Sequence, residues 1–355
     1  MKPAPCDGAL RRNSLAKATL EDVARLAGVS LATVDRVLNR RPGVRATTVE
    51  KVENAVATLG YRPDPFAARL ARATRLKFCF ILPVRATSFT IMLEAEARLA
   101  ARWLAEQRAE IVVRRVDVFD PAILSRALAE LEPGIDGVAL VALDHPAVRA
   151  AIDGLVERGI AVVTLVSDVP SARREHFVGI DNSAAGRTAA SLIGRFTAGR
   201  PGKIGVVAGS FALRDHAERL FGFQQVISAE YPTLTVLPPR EGRDDFALNR
   251  VAVGELLENH PDLLAVYSIG AGNRGIVEAL EAAGRAQDVV FIGHELTQHS
   301  RQWLLSGVMD VVIDQNPGHE VRSAARILLA RCTGGSVLES QEKIRIGIYI
   351  RDNLP

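Results

Sequence analysis

The chain has 355 residues, 48% hydrophobic and 24% charged, an ordinary globular composition too long for one compact core. Charge is uneven. Residues 1–75 carry 14 Lys and Arg against 7 Asp and Glu, a surplus of seven, while the remaining 280 carry 30 against 34. A basic head on a mildly acidic body implies a polyanionic partner for the head alone. The three cysteines (Cys6, Cys79, Cys332) are dispersed, which excludes a disulfide framework or a cysteine metal site. No secretory leader and no membrane-length apolar run is visible, so a cytoplasmic location without membrane contact is expected.

In chain order, residues 1–18 are polar and contain Pro3, Pro5 and Gly8, which predicts a disordered arm. Thr19-Leu20-Glu21-Asp22 has the form of a capping box, followed by Leu20, Val23, Ala24 and Ala27 at helical spacing. Gly28 stops that helix. Ser30 caps a second, with Val34, Val37 and Leu38 facing inward. Thr47-Thr48-Val49-Glu50 predicts a further capping box, with Val49, Val52, Val56 and Leu59 as the apolar stripe of a third helix ended by Gly60. Pro63-Asp64-Pro65 then opens a helix of about two turns, too short to be stable alone in water. From residue 76 onward, strand-like runs alternate with amphipathic helices through to 343–350. About ten strands imply two similar α/β lobes with parallel sheets, with a ligand cleft at the carboxyl ends of the strands.

The Ala27-Gly28-Val29-Ser30 turn between two short helices is a helix-turn-helix pattern. Residues 31, 32, 35 and 36 point outward when Val34, Val37 and Leu38 point inward. Arg36 can then pair with a guanine, while Ser30, Thr33 and Asn39 suit phosphate contacts. Arg40, Arg41 and Arg45 add attraction independent of sequence. Read without further context, the pattern favours DNA only moderately over a small helical bundle with solvated charges.

The run Thr19–Asn39 (TLEDVARLAGVSLATVDRVLN), with Gly60-Tyr61-Arg62-Pro63-Asp64 and Ala67-x-x-Leu70, resembles the head and hinge of the lactose-repressor family. The resemblance continues through the α/β core to the final Asp352-Asn353-Leu354-Pro355. It implies a helix-turn-helix domain over 19–62, a hinge helix and linker over 63–75, and over 76–355 a two-lobed core like that of periplasmic binding proteins. It further implies a homodimer on a near-palindromic operator in double-stranded DNA, with the hinge helices in the minor groove and Leu70 wedged into a base step beside Ala67. The DNA-contacting set so expected is Thr19, Ser30, Leu31, Ala32, Thr33, Asp35, Arg36, Asn39, Arg45, Tyr61, Ala67 and Leu70. This chain departs from the family's pattern where Asp35 replaces a serine, Leu31 and Ala32 replace polar residues, and Asp64 replaces an asparagine. No heptad extension follows the last strand, which favours a dimer over a tetramer.

In the core, the same resemblance points to effector contacts at Phe89, Asp168, Arg219, Phe246, Asn273, Glu295 and Gln315. Arg219 lies in an Arg-x-x-Gly-Phe motif, and Asp168 ends a strand where an acceptor for a ligand hydroxyl is expected. Phe246 falls where an aromatic covers a sugar ring, and Glu295 stands in place of an aspartate. Polar groups at strand ends backed by an aromatic suit a sugar or polyol. Each residue also has a plain structural reading: Arg219 as a helix salt bridge, Asp168 as a turn cap, Phe246 as core, and Glu295 with His294 as solvated loop. Asp181-Asn182-x-x-x-Gly186 reads equally as a helix cap. Gly270-x-Gly272-x-x-Gly275 formally fits a dinucleotide fingerprint but lies late in the chain, with its acidic residue too near. Neither a nucleophile elbow, a P-loop nor a His/Cys metal set is present, so no cofactor, metal or catalysis is expected. A periplasmic-type solute-binding protein and a dinucleotide-dependent enzyme with an accessory helical domain are the alternatives.

Overall fold

A computed structural model describes residues 18–38, 41–61 and 75–355. The expected arm, hinge helix, Asn39, Ala67 and Leu70 lie outside these residues. The chain divides near residue 73 into two compact units.

The first unit holds three helices: α1 (Leu20–Ala27), α2 (Leu31–Leu38) and α3 (Ala46–Leu59). At the start of α1 the capping box forms. Thr19 Oγ1 accepts from the Asp22 N–H, and Asp22 Oδ2 accepts from the Thr19 N–H at 3.0 Å. Gly28 then takes the left-handed conformation (φ 66°) that reverses the chain between α1 and α2. Val23, Ala24, Val34, Val52 and Ala55 form a small core. The box expected at the third helix does not form: α3 begins two residues earlier, at Ala46 with Arg45 in place of Thr47 as its cap, and Arg45 has no side chain able to accept.

The second unit contains two sheets. In the first, β1 (Leu76–Pro83), β2 (Ala109–Val116), β3 (Gly137–Leu140), β4 (Ala161–Leu165) and β5 (His176–Val178) run parallel in the order β2-β1-β3-β4-β5. Strands β3 and β4 are buried at every position, as befits strands covered on both faces. The helices of this lobe are α4 (Ser88–Glu106), α5 (Pro121–Ala129) and α6 (Pro146–Glu157). After β5 the chain crosses into α7 (Asn182–Phe196) and the second lobe. There β6 (Gly202–Ala208), α8 (Arg214–Glu230), β7 (Leu234–Val236), β8 (Arg240–Glu241), α9 (Phe246–Asn259), β9 (Leu263–Ser268), α10 (Asn273–Ala282), β10 (Val290–His294), α11 (Gln298–Ser306) and β11 (Val311–Asp314) follow.

Helix α12 (Pro317–Thr333) returns to the first lobe and packs on α4, β3 and β4. A short helix α13 (Glu339–Glu342) precedes β12 (Gly347–Tyr349), which pairs antiparallel with β11 at the edge of the second sheet. That edge strand is one departure from the expected all-parallel sheets. Among the described residues, no helix is long and apolar enough to cross a membrane.

Candidate functional sites: a helix-turn-helix surface and an interlobe cleft

Helix α2 turns Val34 into the core of the first unit and leaves Leu31, Ala32 and Arg36 exposed, as its periodicity requires. Leu31 stands 43% exposed. Ser30 Oγ accepts from the Thr33 N–H at 3.3 Å and pairs with the Thr33 hydroxyl at 2.9 Å. These two expected phosphate ligands are thus also the cap of α2. Asp35 is half-buried and forms an ion pair with Arg41 at 3.4 Å, so its carboxylate is not simply outward. Arg45 is exposed, and Tyr61 packs partly on the core.

In the second unit, the carboxyl ends of both sheets face a cleft of about 420 Å³. One wall is built after β1, β2, β3 and β4 and includes Phe89 and Phe119. The other wall comes from the segments after β6, β9, β10 and β11. Arg85 Nη1 reaches across the mouth to Asp245 Oδ2 at 2.8 Å, and the guanidinium of Arg243 lies 5.8 Å from the Phe119 ring centroid.

Six of the seven expected effector residues line this cleft: Phe89, Arg219, Phe246, Asn273, Glu295 and Gln315. Arg219 is 2% exposed. It donates from Nε to Asn182 Oδ1 at 2.8 Å, from Nη1 to the Ile269 carbonyl at 2.9 Å and from Nη2 to Gln315 Oε1 at 3.2 Å. Gln315 Nε2 donates onward to Glu295 Oε1 at 2.6 Å. Glu295 has a left-handed backbone (φ 73°) directly after β10, a conformation sparsely populated by side chains of its kind. Burial, reinforced by the Asp314 carboxylate, pushes its pKa up to about 8. Asn273 Oδ1 accepts from the Ser268 hydroxyl at 2.6 Å, and Phe246 stands half exposed with the Arg274 guanidinium 5.5 Å from its ring centroid.

Asp168 is the correction. It does not line the cleft. Its Oδ1 accepts from Thr164 Oγ1 at 2.6 Å and from the Val169 N–H at 2.8 Å, and Arg174 grips both of its oxygens. Burial opposes its ionisation, but Arg174 and Thr164 outweigh that and hold the carboxyl below its usual range. It is a structural anchor of the loop after β4.

The sequence reading missed several lining residues. Asp215 sits one turn before Arg219 on α8, with His216 beside it. His294 closes β10 rather than lying in a solvated loop: it is 2% exposed and its Nε2 lies 2.9 Å from the Tyr267 hydroxyl. Burial and the Arg219 charge hold this imidazole neutral. Trp303 and His299 stack at 5.9 Å on α11 and also line the cleft. Three buried polar atoms in these walls have no hydrogen-bond partner among the described residues: Asp215 Oδ1, His294 Nδ1 and Glu295 Oε2. Orphaned buried polar atoms call for a partner, and here all three belong to residues that line a space large enough for a small polar molecule.

The glycines of the dinucleotide-like motif have a packing explanation. A Cβ at Gly275 would meet the Phe246 carbonyl oxygen at 1.8 Å, so this glycine lets α10 touch α9. Gly272 has φ 84° and begins α10. Likewise Asp181 caps α7 through the Ala184 N–H, and a Cβ at Gly186 would meet the Arg219 carbonyl oxygen at 1.9 Å.

Comparison with known proteins gives two family matches. Residues 79–336 match the periplasmic binding protein domain, and residues 19–64 match the bacterial regulatory proteins of the lacI family. The chain is 27% identical over 195 residues to a D-ribose/D-allose-binding protein of Pseudomonas aeruginosa, an alignment covering 51% of this chain and 58% of that protein. It is 55% identical over 53 residues to a sucrose operon repressor of Vibrio alginolyticus, covering 15% of this chain and 56% of that one. The chain thus spans just over half the length of each of these two relatives. With the HTH-type transcriptional regulator CelR of Thermobifida fusca, it shares 28% identity over 354 residues, covering 92% of this chain and 94% of that regulator. Among solved structures, a solute-binding protein of Burkholderia graminis in complex with D-arabinose superimposes with a TM-score of 0.72 at 20% identity. That match covers 79% of this chain and 97% of the other, and it shows the fold.

Proposed function

The chain belongs to the lacI family of bacterial regulatory proteins and carries a periplasmic binding protein domain; on that premise we propose that it is a sequence-specific transcriptional repressor whose grip on DNA is set by a small polar effector, a sugar or polyol. One observation carries the reading. A single chain joins a helix-turn-helix unit, with Leu31, Ala32 and Arg36 left outward, to a cleft floored by buried, unpartnered polar atoms. The alignment with CelR, a transcriptional regulator, runs nearly end to end, and the Pseudomonas relative of the cleft-bearing unit binds ribose and allose.

In this reading the DNA-binding domain spans 19–62, the hinge 63–75 and the effector domain 76–355, and two copies act on a near-palindromic operator. Arg36, with Leu31 and Ala32, meets base edges. Thr19, Ser30, Thr33, Asn39, Arg45 and Tyr61 position the backbone, Asp35 exchanges its Arg41 partner for a cytosine amino group, and Ala67 and Leu70 enter the minor groove. Arg219, Gln315, Asn273 and Glu295 hold effector hydroxyls between Phe89 and Phe246. The protein works in the cytoplasm, and no catalytic step is assigned. Effector occupancy changes the balance between cleft states and through it the affinity for operator.

The test is a gel-shift titration of the full chain on fragments of its source genome, across salt concentrations and with arrayed sugars and polyols. Binding to a few fragments far above the rest, steeply salt-dependent and altered by at least one compound, is the expected result. Uniform affinity for all fragments, unmoved by every compound, refutes the reading.

A further inference from the structure

Around the floor of the cleft the described residues gather more acid than they neutralise. Asp215 on α8 and Glu295 after β10 line it, and Asp314 closing β11 and Glu320 in the first turn of α12 stand close enough for the four carboxyls to act on one another. Arg219 stands against them. Asp314 is satisfied by the N–H groups of Leu296 and Asn316, each at 3.0 Å. Asp215 Oδ2 lies 4.0 Å from Arg219 Nη2 and 3.6 Å from His216 Nε2. Glu295 Oε1 takes the Gln315 amide. This leaves Asp215 Oδ1, Glu295 Oε2 and both Glu320 oxygens buried without a donor among the described residues. Asp215 and Glu295 line the cleft at 4% and 6% exposure, and Glu320 is fully buried.

Ionised carboxylates without donors are strongly disfavoured in such surroundings. They must be met by protons or by a cation. His294 is neutral and brings no charge. We propose that the effector is an aminated polyol, an amino sugar or amino alcohol, whose ammonium group seats between Asp215 Oδ1 and Glu295 Oε2. An ammonium carries three N–H donors, enough for both orphan oxygens, and it supplies the missing positive charge. A hydroxyl offers one donor and no charge. The inference rests on the ligand-regulated reading above and narrows it to one chemical class.

The exchange balances. In the empty cleft, burial and Asp314 keep a proton on Glu295 at neutral pH. Glu320, behind it, also holds a proton, because burial and Glu295 oppose its ionisation. Arg219 on α8 pulls the other way. When R–NH₃⁺ arrives, the Glu295 carboxyl loses its proton to solvent and the ion pair forms. Below the pKa values of both groups, affinity for an amine therefore rises with pH.

Titration calorimetry on the full chain tests this with matched probes: D-glucose with D-glucosamine, D-galactose with D-galactosamine, D-mannose with D-mannosamine, and glycerol with 3-amino-1,2-propanediol, with the N-acetyl sugars as uncharged controls. Buffers of different ionisation heat count the protons. The expected result is that one amine binds about ten-fold or more tighter than its neutral partner and its N-acetyl form at pH 7. It should release about one proton and gain about ten-fold in affinity between pH 6 and pH 7. In Glu295→Gln, the amine-to-neutral affinity ratio should fall to about one and proton release should disappear. Neutral members binding as tightly as amines, or proton release surviving in Glu295→Gln, overturns the inference while leaving the polyol reading intact. If no member of any pair binds, both fall.

Discussion

Arg219 ties three separate segments together: Asn182 at the start of α7, the carbonyl of Ile269 after β9 and Gln315 after β11. The guanidinium is therefore oriented before any effector arrives, and binding need not order it. Its neighbour Glu295 has the opposite character, being held in place yet protonated. For an acid whose pKa in the folded state, about 8, lies above its ordinary 4.5, folding takes up a proton wherever the unfolded chain is ionised. The stability this form contributes is complete below pH 4.5 and is lost as pH rises towards 8, by about 1.4 kcal/mol per pH unit for one proton. Urea unfolding of the effector-free protein between pH 5.5 and 7.5 should show Glu295→Gln less pH-sensitive than the parent by about one proton. Parallel slopes would mean that Glu295 is ionised in the folded chain. At this scale the sequence was legible where a motif fixed a residue to a strand or helix end, as for Arg219, Asn273 and Gln315. It failed for Asp168 because the neutralising Arg174 comes from a loop with no periodicity to announce it. It also missed Trp303, four residues after His299, because that spacing matches any helix stripe.

Among the elements, the helix pairs α7–α8 and α9–α10 approach closely through glycine. Gly186 and Gly222 make a reciprocal contact: a Cβ on the first would strike the Arg219 carbonyl oxygen and one on the second the Ser183 carbonyl oxygen at 2.2 Å. Backbone cannot yield as a flexible side chain can. Gly186→Ala should cost about 1–3 kcal/mol in urea unfolding. It should also weaken effector binding, because the displaced backbone is that of Arg219. Unchanged stability would show that the two helices slide apart freely. Strand and helix order were legible from alternating patterns, and the parallel strands agree with them. The start of α3 was not legible: the box expected at Thr47 is absent, because Thr47 falls inside the helix once Ala46 has begun it. Nor was the antiparallel sense of β12, whose three residues carry no periodic signal of direction.

For the whole molecule, the proposed function requires the hinge to distinguish operator from other DNA. Side chains that enter the minor groove act only where the duplex deforms, whereas phosphate contacts act everywhere. Leu70→Ala should therefore reduce operator affinity by a factor of about 100 or more while changing affinity for random duplex less than about three-fold. A gel-shift comparison of the two duplexes decides it, and equal losses would remove the wedge role.

The route of α12 has a consequence for biosynthesis. The sheet of β1–β5 is complete by residue 178, yet part of its cover is this helix of residues 317–333, whose Leu328 lies so close over Gly137 of β3 that a Cβ there would meet it at 2.9 Å. A nascent chain on the ribosome must carry part of an apolar face of that first sheet uncovered until residues 317–333 emerge. Truncations ending between residues 180 and 316 should therefore aggregate or recruit chaperones rather than yield a free half-molecule.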